Sequence, residues 1–145
     1  MQYIDMHCDT LMMAYVEKKE TISTEPKFML DIERMKQGDC MAQFFAIFML
    51  PEDMKGQLKM PFPEDMEYIK SLINIYRKSM EKSANIIAPA RNMAEVAMNV
   101  AEGKMSGILS LEDGRAVGGD IKRLEWLYDE GIRMIALTWN FENCF

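Results

Sequence analysis

The hydrophobic pattern of the chain alternates between short apolar runs and longer stretches in which apolar residues recur every three or four positions. The first kind is typical of strands buried in a parallel sheet, and the second is typical of amphipathic helices. Residues 40–50 are almost entirely apolar and predict a buried strand. Residues 64–82 carry Met, Ile and Tyr at helical spacing and predict a helix that covers one side of the sheet. Together they predict an α/β fold.

The remaining segments continue this alternation, separated by Gly, Pro, Asn and Asp. We expect an opening strand near residues 3–9, short helices at 11–19 and 29–36, an extended piece at 85–89, a helix from the cap Asn92 to 101, a strand at 106–111, a glycine-rich loop at 113–119, a helix from the cap Asp120 to 130 and a strand at 132–138. Residues 51–63 predict a loop that could act as a lid or rim. The order strand, helix, strand predicts parallel crossovers with the loops that follow the strands gathered on one edge.

Three polar side chains stand at alternate positions in the opening segment: Asp5, His7 and Asp9. Alternate side chains of an extended strand share one face. Two carboxylates and an imidazole are costly to place together unless a cation lies between them, so the pattern predicts a metal site. The alternative from local sequence is a core histidine with the two aspartates in a turn at the strand end. His7 is the only histidine of the chain.

Glu112 follows the predicted strand at 106–111. Because parallel strands open on one edge, we expect Glu112 to lie near His7 and Asp9. A carboxylate in that position can bridge two metal ions, which hold a hydroxide for attack on a carbonyl. The alternative is that Glu112 is an ordinary acidic residue in a solvent-exposed loop. The glycine-rich loop after Glu112 lacks the spacing of a phosphate-binding motif, and its glycines predict a tight turn.

Bulk properties narrow the class of protein. The 145 residues correspond to one domain, 1–145, and the net charge of −6 argues against a nucleic acid or an anionic membrane as partner. Three widely spaced cysteines indicate neither a disulfide framework nor a thiolate zinc site, so a reduced, cytoplasmic setting is expected. No apolar stretch is long enough for a bilayer, and the early first strand leaves no room for a signal peptide.

Four motifs occur in order along the chain: Asp5-x-His7-x-Asp9; Ala42-Gln43-Phe44 in the apolar strand; Leu111-Glu112-Asp113-Gly114; and Gly131-Ile132-Arg133 followed by Leu137-Thr138-Trp139-Asn140. Their series resembles the membrane (renal) dipeptidase family of metallopeptidases. The third motif is similar to a Glu-Gly-Gly sequence of that family. In the fourth, Trp139 stands where better known members have a histidine that contacts the substrate, which affects the expected substrate preference.

The resemblance implies a TIM-type (β/α)8 barrel, of which this chain supplies about the first half, with two zinc ions. It implies that His7 and Asp9 ligate one zinc, and that Glu112 bridges both as the catalytic carboxylate. The substrate would be a dipeptide with a free amino end, whose peptide carbonyl is attacked by the bridging hydroxide. In the family the second zinc takes two later histidines, which this chain lacks, so we expect the isolated chain to be inactive.

Two other functions remain compatible with the sequence. One is a different metal-dependent amidohydrolase acting on cyclic amides or esters, although such enzymes usually carry His-x-His on the first strand. The other is a non-catalytic half-barrel fragment that forms a homo-oligomer through its open sheet edges.

Overall fold

The computed structural model describes residues 1–57 and 63–145, which form a single parallel sheet with helices packed on it. The strands are β1 Tyr3–Asp5, β2 Cys40–Phe48, β3 Ile87–Pro89, β4 Met105–Glu112 and β5 Ile132–Ala136. The helices are α1 Thr10–Val16, α2 Ile32–Gln37, α3 Glu52–Gln57, α4 Asp65–Lys82, α5 Met93–Ala101 and α6 Ile121–Glu130, with a 3-10 helix at Gly114–Val117. The predicted α/β class and parallel strands are confirmed.

The sheet has the order β1-β2-β4, and both β3 and β5 pair with the other edge of β4. β3 pairs with the first residues of β4, where Ile87 lies opposite Met105. β5 pairs with its last residues, where Ala136 lies opposite Glu112. Every pairing is parallel, so the carboxyl ends of β1, β2, β4 and β5 open on the same edge.

The core lies between the sheet and helix α4, whose apolar stripe was predicted from its spacing. Phe45 of β2 packs edge-on against Tyr76 of α4 with ring centroids 5.8 Å apart. The Tyr76 hydroxyl donates to the Gly107 carbonyl at 2.8 Å. A Cβ at Gly107 would lie 2.9 Å from Met80 Sδ and 3.3 Å from the rings of Phe45 and Tyr76, so the glycine allows close packing of α4 on β4.

Helix boundaries follow the predicted capping residues. Asn92 accepts a hydrogen bond from Glu95 N at 2.9 Å, while the Glu95 carboxylate accepts from Arg91 N at 2.6 Å. These reciprocal bonds satisfy backbone donors that a helix start leaves free. Asp120 caps α6, and Gly131 ends that helix at φ +110. The caps predicted at Asn92 and Asp120 are confirmed.

Three predicted segments differ from the structure. The opening strand ends at Asp5, and the last strand ends at Ala136. Residues 51–63 were expected to be a loop, but the first part forms helix α3 at Glu52–Gln57, which directly follows Pro51, a residue favoured at the start of helices. Residues 58–62, which belonged to the same predicted lid, lie outside the described residues.

No helix within residues 1–57 and 63–145 combines the length and the apolar character needed to cross a lipid bilayer.

Candidate metal centre

His7, Asp9 and Glu112 come together at the carboxyl edge of the sheet. His7 Nε2 lies 3.2 Å from Glu112 Oε2 and 3.5 Å from Asp9 Oδ1. One potential ligand atom from each of the three residues lies within 4.8 Å of the other two. The three residues that the sequence singled out as ligands therefore face one point, although His7 lies between β1 and α1, Asp9 is the N-cap of α1 and Glu112 ends β4.

The path of the chain between Asp5 and Cys8 explains how His7 reaches this point. Asp5 Oδ1 accepts a hydrogen bond from His7 N at 3.1 Å, which turns the backbone out of the regular strand. Pairing with β2 then resumes, because Cys8 N donates to Phe44 O and Ala46 N donates to Cys8 O. The expectation that Asp5 shares a face with His7 and Asp9 is wrong: its carboxylate shapes the turn and is not one of the three converging groups.

Asp9 occupies the N-cap position of α1 without acting as a side-chain cap. Its carbonyl accepts from Met13 N, but its carboxylate accepts no hydrogen bond from the first turn of the helix. Aspartate is favoured at this position because its carboxylate usually makes that bond. Asp9 Oδ1 is buried and has no hydrogen-bond partner, and it faces the His7 imidazole instead.

Glu112 is the last residue of β4, and its side chain is only 19% exposed. Its carbonyl accepts from Met49 N at 3.1 Å, which fixes its backbone against the end of β2. Burial raises the pKa of the Glu112 carboxyl; the nearby His7 lowers this pKa, and Asp9 and Asp113 raise it. A cation among these groups would favour the ionised form of the carboxyl.

The donor set fits a divalent metal ion. One imidazole nitrogen and two carboxylate oxygens are ligands that zinc accepts, and such sites commonly hold three protein ligands with a further position open. The buried Asp9 Oδ1, which makes no hydrogen bond, is an atom that a bound cation would partner. The sequence contains no histidine besides His7, so these 145 residues supply a single imidazole to the site.

Aromatic side chains line the same edge of the sheet. The Trp139 ring packs edge-on against Phe48 with centroids 4.9 Å apart, and Phe141 lies 5.8 Å beyond it. Phe48 is the β2 residue opposite Glu112 in the sheet register. Trp139, which the sequence singled out as a substitution for a substrate-contacting histidine, thus packs on the β2 residue that pairs with Glu112.

The sequence reasoning missed a polar network directly behind Glu112. Asp113 is fully buried and has φ +67, and its carboxylate accepts hydrogen bonds from Arg115 and Asn143. The segment had been interpreted only as a glycine-rich turn. An aspartate before a glycine often adopts positive φ, and this was the available signal.

Comparison with known proteins gives a consistent picture. The family model of the membrane dipeptidases, peptidase family M19, matches residues 1–145. A solved structure of dipeptidase AC, a metallopeptidase of family M19, is 25% identical with a TM-score of 0.80 over 100% of this chain and 45% of that chain. A metallopeptidase from Rhodobacter sphaeroides, solved with a phosphinate mimic of the dipeptide L-Ala-D-Ala, is 22% identical with a TM-score of 0.77, covering 100% and 47%.

A third similar structure, an amidohydrolase from Pseudomonas aeruginosa, is 15% identical with a TM-score of 0.64 and covers 86% of this chain and 34% of that chain. The chain thus spans less than half the length of each of these proteins, and it has the parallel α/β architecture of about half a barrel, as predicted. The match of the family model over all 145 residues shows that the chain belongs to the membrane dipeptidase family, peptidase family M19.

Proposed function

We propose that residues 1–145 form one domain, the amino-terminal part of a zinc-dependent dipeptidase barrel, and that His7, Asp9 and Glu112 are metal ligands. His7 and Asp9 would hold one zinc ion, and Glu112 would contribute its carboxylate to this ion and to a second one. The remaining ligands of the second ion are supplied by polypeptide other than this chain, because the chain has no other histidine. The family match supports a metal-dependent dipeptidase.

The observation that carries this proposal is the convergence of the three ligand atoms within 4.8 Å at the open edge of a parallel sheet. Ordinary surface acids repel each other and turn towards solvent or lysine. Here Glu112 is four-fifths buried, and Asp9 leaves its helix uncapped to face the same imidazole. Both features cost stability in the absence of a cation and become favourable when one binds.

Bound zinc would supply a polarising positive charge for the carbonyl and a lowered pKa for an adjacent water. The side chains of this chain would hold the ion and shape the surroundings of the substrate. Asp9 and Glu112 would supply carboxylate oxygens to the ion, His7 would supply an imidazole nitrogen, and Glu112 is the carboxylate that could exchange a proton with the reacting groups. Phe48 and Trp139 exclude water from one side and provide an apolar surface for a substrate side chain.

The proposed substrate is a dipeptide with a free amino end. The related protein from Rhodobacter sphaeroides binds a mimic of L-Ala-D-Ala, which supports a small dipeptide here as well. The excess of acidic residues gives a net charge of −6, which argues against a nucleic acid or an anionic membrane as partner. We place the protein in the cytoplasm, since its cysteines are unpaired.

Titration of the purified chain with Zn²⁺ in a calorimeter tests the proposed ligands. We expect saturable binding that is lost in His7→Ala and in Glu112→Gln, together with no hydrolysis of Ala-Ala by the 145-residue chain. Retained zinc binding in both variants would exclude the assigned ligands. Rapid Ala-Ala hydrolysis by this chain would contradict the need for further histidines.

A second function is favoured by the edge strand β1, in which Ile4 is 46% exposed, and by Met6 just after it, which is 51% exposed. Among the described strands, β1 pairs with β2 alone and β5 with β4 alone. Such edges favour a non-catalytic module that associates as a homo-oligomer. Light scattering with metal analysis separates the two functions, because a stable metal-free dimer supports the module and a zinc-loaded monomer supports the dipeptidase.

A further inference from the structure

We propose that Asp113, held by Arg115 and Asn143, is a positioning residue that keeps Glu112 within reach of His7. The proposal rests on the metal centre proposed above, because it assigns a purpose to the position of one of its ligands. It concerns a residue that does not contact the three ligand atoms and acts through the backbone of Glu112.

The backbone of Asp113 adopts an uncommon conformation at a critical place. Its φ is +67 and its ψ is +107, immediately after the last residue of β4. L-residues other than glycine rarely adopt positive φ, because the Cβ approaches the backbone carbonyl. The conformation turns the chain sharply out of the sheet and determines how the peptide unit between Glu112 and Asp113 is oriented.

Three hydrogen bonds hold this conformation. Asp113 Oδ1 accepts from Arg115 N at 3.0 Å and from Asn143 Nδ2 at 2.6 Å, and Asp113 Oδ2 accepts from Arg115 Nε at 2.8 Å. The Asp113 side chain has no exposed surface, so water does not compete for these bonds. A charge-assisted bond to arginine makes the arrangement stronger than neutral bonds would.

The residues after β5 complete the arrangement. Asn143 Nδ2 also donates to Leu137 O at 2.8 Å, and Gly114 N donates to the same carbonyl at 3.2 Å. A Cβ at Gly114 would lie 2.6 Å from the Phe145 ring, so the segment from Leu137 to Phe145 lies directly on the turn. The turn after Glu112 is therefore held from its own loop and from this segment.

Loss of the three hydrogen bonds would release Asp113 towards ordinary extended or helical dihedral angles. The peptide unit after Glu112, which includes the carbonyl that accepts from Met49 N, would then rotate, and this hydrogen bond would weaken. The rotation moves the base of the Glu112 side chain, and the 3.2 Å separation between Glu112 Oε2 and His7 Nε2 increases. Groups that orient metal ligands typically change metal affinity about 10–100-fold when removed.

Nuclear magnetic resonance can test this positioning without any metal. His7 is the only histidine, so the imidazole gives one set of resonances. We expect a nuclear Overhauser effect between the His7 ring protons and the Glu112 methylene protons in the parent chain. Asp113→Gly accepts positive φ without strain but removes all three hydrogen bonds, and it should lose this effect. Asn143→Ala should weaken it.

Asp39→Gly is the matched control. Asp39 is also an aspartate at positive φ, +64, but it lies at the amino-terminal end of β2, away from the site. Its carboxylate pairs with the amino terminus of Met1 at 3.4 Å. This variant should keep the His7–Glu112 effect. It should also keep the zinc affinity of the parent chain, whereas Asp113→Gly should lower that affinity about tenfold.

The outcomes separate this proposal from the proposed function. A preserved His7–Glu112 effect in folded Asp113→Gly, or equal losses in Asp113→Gly and Asp39→Gly, overturns the positioning role. Loss of the effect in Asp113→Gly alone supports it, even if the parent chain binds no zinc, and in that case the proposed metal centre fails on its own. If Asp113→Gly does not fold, an unchanged effect in folded Asn143→Ala overturns the role and a weakened effect supports it.

Discussion

Replacement of two adjacent residues, His7 and Cys8, should separate the metal centre from the core. Their side chains point in opposite directions: His7 is 45% exposed beside two carboxylates, whereas Cys8 is 9% exposed in the hydrophobic core. His7→Ala should therefore abolish metal binding at little cost in stability. Cys8→Ala should reduce stability and leave metal binding intact.

The magnitudes follow from burial and contacts. His7→Ala removes the only nitrogen ligand, and we expect zinc affinity to fall more than about 100-fold, equivalent to roughly 2.8 kcal/mol. Its free energy of unfolding should change by less than about 1 kcal/mol, since exposed side chains contribute little. Cys8→Ala removes a buried sulfur, comparable in size to a methyl group, and should cost about 1 kcal/mol, or about 3–4 °C in Tm.

Calorimetric zinc titration and thermal unfolding of the metal-free proteins measure the two effects. The variants control for each other, because each is expected to change one quantity and leave the other near the parent value. Equal losses of zinc affinity in both variants would show that residues 7 and 8 do not face different surroundings. The geometric argument for the metal centre would then be refuted.

Three further predictions concern the packing of the chain. Burial raises the pKa of Tyr76 well above its ordinary value, so the folded state holds this proton more tightly than the unfolded state. The stability that the protonated Tyr76 contributes is fully present below pH ~10 and declines as pH rises further. In urea unfolding at alkaline pH, the free energy of unfolding should therefore fall less steeply with pH for Tyr76→Phe than for the parent chain. Gly107→Ala should destabilise the protein by about 1–3 kcal/mol through contact with α4. Gly56→Ala, whose new Cβ would have no described atom within 4 Å beyond its own helix backbone and chain neighbours, should be neutral or slightly stabilising in urea melts. Burial raises the pKa of the Cys8 thiol to about 11, so at pH 8 only roughly one thiol in a thousand is ionised. Because the thiolate is the form that reacts, mass spectrometry should find iodoacetamide on exposed Cys144 long before it finds it on Cys8. Identical pH profiles of Tyr76→Phe and the parent chain would contradict the first prediction. A larger loss of stability for Gly56→Ala than for Gly107→Ala would contradict the second, and prompt labelling of Cys8 in the folded protein would contradict the third.

The sequence predicted the elements with strong periodic or capping signals. The apolar run in β2 is typical of a buried strand and the spaced stripe of α4 is typical of an amphipathic helix, and Asn92 and Asp120 lie where helices begin. The convergence of His7, Asp9 and Glu112 was also anticipated, because parallel strands that end on one edge bring distant residues together. Their roles as ligands stay a prediction.

The remaining features depend on contacts that a linear pattern does not contain. Alternation in the first segment suggested that Asp5 joins the other ligands, but the hydrogen bond from His7 N to its carboxylate breaks the alternation. Similarly, the conformation of Asp113 depends on Asn143, thirty positions further along the chain. Such tertiary partners override local preferences, and they occur here beside the candidate site.

β1 has only three residues, and its neighbour Met6 is half exposed, so the beginning of the chain is weakly anchored by the sheet itself. An ion held jointly by His7, Asp9 and Glu112 would fasten this beginning to β4, across roughly a hundred residues of sequence. Loading of the ion and ordering of the first segment would then be thermodynamically linked, so that each favours the other. Amide hydrogen exchange at Cys8 would slow as zinc is added, which makes the short first strand a reporter of occupancy.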